Sequence, residues 1–128
     1  MKTVLLVDYD PRSIDTMRRC VTALGARMLL ATDAETGRRE FFRALPDLTI
    51  IEDLIPKTRG YQLCRDLKSS MYGAYRPVLL VGVRNGGRHR VITSRCDAYI
   101  ERPFDDATLL AQVAKLLPGI AMRISRPA

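Results

Sequence analysis

A chain of 128 residues has room for one domain with its own hydrophobic core and not for two ordinary ones. It is 47% hydrophobic, but its first apolar run, Val4–Val7, stops at Asp8, far short of a signal-peptide core or the ~20 residues of a membrane span, so a cytoplasmic location is expected. Lys and Arg outnumber Asp and Glu by 21 to 14, a net charge of +7, with four arginines and no acid in residues 83–96; this permits an acidic partner or nucleic acid, although a solvated basic face is the commoner meaning.

Val4–Val7 reads as a strand, and "DPRSIDTMRRCVTALG" follows it as a helix. Asp10 suits the N-cap, Pro11 the first turn and Gly25 the position just past the end. Ile14, Met17, Val21 and Leu24 recur at three- and four-residue spacing as its buried stripe. Met28–Ala31 is a second strand, and residues 33–44 form a second helix halted ahead of Pro46. Leu48–Ile51 is a third strand that runs straight into Glu52 and Asp53. Gly60 to about Ser70 is a third helix with Leu63, Cys64 and Leu67 inward. Val78–Val83 makes a fourth strand, then the turn sequence Asn85-Gly86-Gly87, then a short, weakly patterned helix over 89–95. Ala98–Ile100 is the fifth strand and residues 105–117 the last helix, ended by Pro118-Gly119. Residues 1–119 thus form one domain, and residues 120–128 read as a tail or the start of a linker.

Strands that are nearly all apolar, alternating with helices, require a parallel sheet covered on both faces. The expected fold is α/β of the flavodoxin-like type, strand order 2-1-3-4-5, whose ligands bind beyond the carboxyl ends of the strands at the switch point. Asp8 and Asp10 follow the first strand, and Glu52 and Asp53 close the third, so four acids gather at that end. Cys20, Cys64 and Cys96 are odd in number, widely spaced and in no metal-ligand pattern, as reduced thiols filling a core would be.

"VLLVDYDP", "PDLTIIEDLIPKTRGYQLCRDLK" and "DAYIERPF", in this order and spanning residues 2–117, resemble the receiver domain of two-component response regulators. The resemblance implies a signalling module rather than an enzyme, with a protein partner such as a histidine kinase or an effector domain, and with homodimerisation as an option. It also implies an acidic pair after the first strand, a phosphoaccepting aspartate after the third, a hydroxyl residue after the fourth and a Lys-Pro after the fifth. Magnesium assists phosphoryl transfer in that family.

Pro46, Pro56 and Gly60 all assign the acceptor position to Glu52; Asp53 falls one step later, where the family carries an apolar residue pointing away. Asp8 matches the first acid of the pair, but Tyr9 holds the second, metal-binding position, and Asp10 serves at least as a helix cap. Gly82 replaces the hydroxyl residue, Tyr99 matches the aromatic switch position, and Arg102 replaces the lysine. A tyrosine hydroxyl is a poor ligand for magnesium, so the metal site is weakened and no cofactor is expected. The expectation is therefore a degenerate receiver working through protein contacts, with a forked Glu52–Arg102 pair in place of a phosphate. Glu52 paired with Lys57, a working acceptor at Glu52 or Asp53, and a basic scaffold for nucleic acid are the alternatives. Nucleic-acid binding by the domain alone is disfavoured, because there is no Trp and only three Phe to stack on bases. The single histidine, His89, supports neither a metal site nor a catalytic triad, and "RNGGRHR" lacks the spacing of a phosphate-binding glycine loop.

Overall fold

The computed structural model describes residues 1–84, 87–117 and 119. The Asn85-Gly86 part of the expected turn, Pro118 and the 120–128 tail lie outside the described residues. Five strands, β1 (Thr3–Val7), β2 (Arg27–Ala31), β3 (Leu48–Glu52), β4 (Val78–Val81) and β5 (Ala98–Ile100), form one parallel sheet in the order β2-β1-β3-β4-β5. Five helices, α1 (Pro11–Ala23), α2 (Ala34–Ala44), α3 (Gly60–Lys68), α4 (Arg88–Ser94) and α5 (Asp106–Leu116), connect and cover it. This is the expected doubly wound fold.

Capping explains the helix starts. Asp10, Asp33 and Asp105 each sit in extended backbone and accept an N–H from the first turn of α1, α2 and α5. Gly25, with φ of +73°, follows the end of α1 and turns the chain back toward β2. Fourth-strand pairing ends at Val81 rather than Val83, because Gly82 adopts φ of +88° and leaves the extended path. A short 3₁₀ turn over Gly73–Tyr75, unforeseen in the sequence, precedes β4.

The sheet divides the core in two, and strand parity decides which residue goes where. Val4, Leu6, Leu48, Ile50, Leu79 and Val81 pack on one face against Ile14, Met17 and Val21 of α1 and Leu109 and Val113 of α5. Leu5, Val7, Ile51, Val78 and Leu80 pack on the other against Phe41 of α2 and Leu63, Cys64 and Leu67 of α3. Each such side chain, fully buried, contributes about 1.5–3 kcal/mol. All three cysteines are free thiols, Cys20 and Cys64 buried. None of the described helices is long and apolar enough to cross a membrane.

Candidate functional site

At the carboxyl ends of β1, β3, β4 and β5 the chain opens a cleft of about 220 Å³. Asp8, Tyr9, Asp10, Ser13, Glu52, Gly82, Arg84 and Arg102 line it, with Leu54 at the edge. Parity delivers the two central acids. Asp8 continues the Val4–Leu6 side of β1 and Glu52 the Leu48–Ile50 side of β3, so both turn toward the α1/α5 face. Val7 stands opposite Ile51 across that strand pair, which sets the two acids side by side.

Glu52 is 9% exposed and meets Arg102 as two forks. Arg102 Nη2 donates to Glu52 Oε2 at 2.8 Å and Arg102 Nε to Oε1 at 3.5 Å. The same Nη2 donates to Ser13 Oγ at 3.0 Å, and Ser13 Oγ donates to Asp8 Oδ2. The backbone N–H of Asp10 donates to Asp8 Oδ1 at 3.1 Å. One guanidinium therefore ties β3, β5 and α1 together through two carboxylates and a hydroxyl. Arg102 also lies over the Phe104 ring at 5.0 Å, and its peptide bond to Pro103 is cis. Lys57, the alternative partner for Glu52, is not the residue that pairs with it; its charge adds a little to the lowering of the Asp33 carboxyl, which hydrogen bonds from Thr36 hold below its ordinary value.

Gly82 makes room for this pair. A Cβ built on it would stand 2.3 Å from Glu52 Oε1 and 3.0 Å from Glu52 Cδ. A residue with a hydroxyl here would collide with the carboxylate that the glutamate arm carries forward. The glycine and the glutamate are complementary in shape as well as in chemistry.

Burial pushes the Glu52 carboxyl above its ordinary 4.5 against the pull of Arg102, and the charges of Asp8 and Asp53 add to the rise. Burial alone would lower the Arg102 pKa, but the hydrogen bond and charge of Glu52, with Asp8 and Asp10, raise it instead. Arginine stays charged in any case, so the guanidinium is a fixed cation in the cleft.

Asp53 is not part of this acidic pocket, which corrects its grouping with Asp8 and Asp10. One residue of chain turns it to the opposite face, where it is 1% exposed. There it accepts the N–H of Tyr61 at 3.1 Å, pairs with Arg59, and faces Arg90 Nε at 3.5 Å. It caps the start of α3, whose own N-cap residue, Arg59, makes no side-chain cap. Gly60 permits that turn: a Cβ on it would lie 2.2 Å from the Glu52 carbonyl oxygen.

The remaining candidates are spread around the mouth. Tyr9 is 54% exposed at the rim, and Asp10 is exposed and accepts the Arg12 N–H at 3.1 Å. Tyr99 projects from β5 away from the cleft, into a neighbouring groove beside Arg84 and Arg88. Ser13 and Arg84 were not singled out as site residues by the sequence. The available signal for Ser13 was its place on the first turn of α1, five residues after Asp8.

The donor set does not fit a magnesium ion. That ion wants several hard oxygens in near-octahedral order, whereas Asp8 is fully buried with both oxygens engaged and Glu52 is held by Arg102. Among the described residues, no group of three or more His, Cys, Asp or Glu is arranged to hold a metal. A fixed guanidinium already supplies the positive charge.

No protein-family model matches the chain. The response regulator MprA of Mycobacterium leprae is 29% identical over 116 residues, covering 89% of this chain and 50% of that protein, so the chain spans about half the length of this relative. A receiver domain of a signal transduction histidine kinase from Syntrophus aciditrophicus superposes with a TM-score of 0.82 at 26% identity, covering all of this chain and 96% of the other. The receiver domain of the sensor histidine kinase PA1611 from Pseudomonas aeruginosa, with magnesium coordinated in its active-site cleft, superposes with a TM-score of 0.82 at 21% identity over 91% of this chain and 97% of the other. Strand order, the position of the cleft and the likeness along nine-tenths of the sequence agree: this chain is similar in fold and in sequence to the receiver domains of two-component response regulators.

Proposed function

We propose that this receiver no longer cycles through phosphorylation and works as a protein-interaction module held in one state. The observation that carries this reading is the Glu52–Arg102 fork lodged in the space that Gly82 leaves open. A carboxylate replaces the phosphoryl group and brings one negative charge where a phosphate brings nearly two. Arg102 neutralises it permanently, and Ser13 and Asp8 lock the guanidinium in place.

Three parts of phosphoryl transfer are missing together. Tyr9 leaves Asp8 without a second metal carboxylate, so charge building on a transferring group goes uncompensated. The glutamate arm shifts the nucleophilic oxygen away from the position an aspartate would give it. Gly82 has no hydroxyl to close on a phosphoryl oxygen. Asp53 is a weak substitute acceptor, because it is buried and engaged with Tyr61, Arg59 and Arg90. The domain is accordingly read as non-enzymatic and cofactor-free, with a histidine kinase, an effector domain or a second copy of the chain as partner.

Incubation with acetyl phosphate and magnesium, followed by intact-mass measurement, tests this. The expected result is no mass gain. A base-labile gain of one phosphate mapped to Glu52 or Asp53 would replace this reading with that of a live switch.

A further inference from the structure

The end of the sheet opposite the cleft carries features that the proposed signalling role leaves unused. The five parallel strands begin there, at Thr3, Arg27, Leu48, Val78 and Ala98, and α2, α3 and α4 finish there. Met71 is 91% exposed and Tyr75 89% exposed in the link from α3 to β4, so both side chains stand clear of the protein. The backbone beneath them is braced. Tyr72 donates its hydroxyl to the Pro46 carbonyl at 3.0 Å, and the Ala74 N–H donates to the Ser70 carbonyl at 3.0 Å. Leu45, which caps the end of α2 just before Pro46, and Phe42, one turn earlier, are also exposed.

The uncompensated charge at this end is positive. Glu40 is taken up by Arg43 at 2.6 Å, Asp47 by the Thr3 N–H at 2.8 Å and by Arg76 at 3.7 Å, and Asp97 by Lys68 at 2.8 Å. Arg27 and Arg95 are exposed and Lys2 is partly so. Among the described residues none of these three has an ion-pair partner.

We propose that this end of the domain rests on an anionic membrane surface, where Met71 and Tyr75 enter the headgroup layer and Lys2, Arg27 and Arg95 meet lipid phosphates. Isolated apolar side chains that project from a braced turn need no shaped pocket to receive them. A tyrosine ring, apolar in body and polar at its tip, suits the boundary between headgroups and acyl chains. Cations spread over a whole end of the molecule can all meet one flat anionic surface. A second copy of the chain would bring the same uncompensated cations and be repelled. Nucleic acid would take the cations and leave Met71 idle. This surface shares no residue with the Glu52 cleft, so vesicle binding and phosphate uptake are decided by separate measurements.

Co-sedimentation with vesicles tests it. The chain should bind vesicles of an equal mixture of phosphatidylcholine and phosphatidylglycerol and leave pure phosphatidylcholine alone. Met71→Ser with Tyr75→Ser should weaken binding at least about tenfold. Lys2→Gln with Arg27→Gln should weaken it about fivefold for each charge lost. Leu54→Ser and Arg12→Gln, exposed residues at the cleft end, should change it by no more than about twofold. Circular dichroism confirms that each variant is folded. Tyr75→Trp, in a chain with no other tryptophan, should shift its emission to the blue when the mixed vesicles are added. Absence of sedimentation with the mixed vesicles overturns the proposal. So does an unshifted Tyr75→Trp emission, or a loss at Leu54 or Arg12 equal to that at the opposite end. Binding that ignores the Met71 and Tyr75 substitutions, with random duplex DNA bound as tightly, overturns it in favour of a general polyanion surface.

Discussion

Glutamate is one methylene longer than aspartate, and at the end of β3 that length is absorbed by the missing side chain of Gly82. Gly82→Ala therefore meets two penalties: a backbone at φ of +88° and a Cβ 2.3 Å from Glu52 Oε1. The expected cost is about 3 kcal/mol in urea denaturation, part backbone and part loss of the Arg102 fork. In a Glu52→Asp background the second part disappears, and the cost should fall by about 1 kcal/mol. An unchanged cost would mean that glycine serves the backbone alone. The pair also has a pH signature. Because burial raises the Glu52 carboxyl in the folded chain, its ionisation opposes folding. The stability of the natural chain relative to Glu52→Gln is then greatest below 4.5 and shrinks as pH rises through the raised folded value. Denaturation from about pH 4 to about pH 8 reads this directly, and an advantage growing with pH would show Arg102 outweighing burial. Much of this site was legible in the sequence, since Pro46, Pro56 and Gly60 point to Glu52 without any coordinates. Asp53 was grouped with the wrong acids, because adjacency in sequence means opposite faces in a strand. Ser13 escaped notice because a helical serine carries no motif until the helix is docked beside Asp8.

Whole elements were legible where local chemistry and burial agree. Capping aspartates start α1, α2 and α5, and apolar runs mark the strands. The 3₁₀ turn at Gly73–Tyr75 was not legible, for its stability comes from distant partners. Tyr72 donates to the Pro46 carbonyl at 3.0 Å, stacks edge-on to Phe41 and supports Arg76 at 4.7 Å. A similar tertiary device holds the far half of the sheet. Lys68, 8% exposed at the end of α3, donates to Asp97 Oδ2 and to the Arg76 carbonyl, both at 2.8 Å. Asp97 Oδ2 also accepts the Val78 N–H at 2.7 Å. One ammonium thus joins α3, the strand entry at β4 and the start of β5. Lys68→Ala leaves that carboxylate and carbonyl short of a donor and should cost about 2 kcal/mol, while Asp97→Asn retains an acceptor and should cost about 1 kcal/mol. Urea denaturation measures both. Equal, negligible costs would show the cluster to be a surface pair of no consequence.

Across the whole molecule, the departures from a phosphoaccepting receiver are spread over the sheet, while the fold that would carry them is intact. Tyr9 follows β1, Glu52 ends β3, Gly82 follows β4 and Arg102 follows β5. Each belongs to a different strand end, so on the proposed reading no single substitution rebuilds the chemistry. Glu52→Asp alone would withdraw the carboxylate from Arg102 and leave Asp8 as the sole acid after β1 suited to a metal. Acetyl phosphate with magnesium should still add no mass to that variant. Tyr9→Asp combined with Glu52→Asp is different, because it surrounds the cleft with three short carboxylates at the ends of adjacent strands, the hard-oxygen set that magnesium requires. Calorimetric titration with magnesium should give measurable heat for the double variant and none for the natural chain or for either single variant. The adjacency of β1 and β3 is what makes this pairing possible, since Val7 and Ile51 are register partners one residue before Asp8 and Glu52. Binding by the natural chain would show that Tyr9 does not disable the metal site, and the proposed loss of phosphorylation would then have to rest on Glu52 and Gly82 alone.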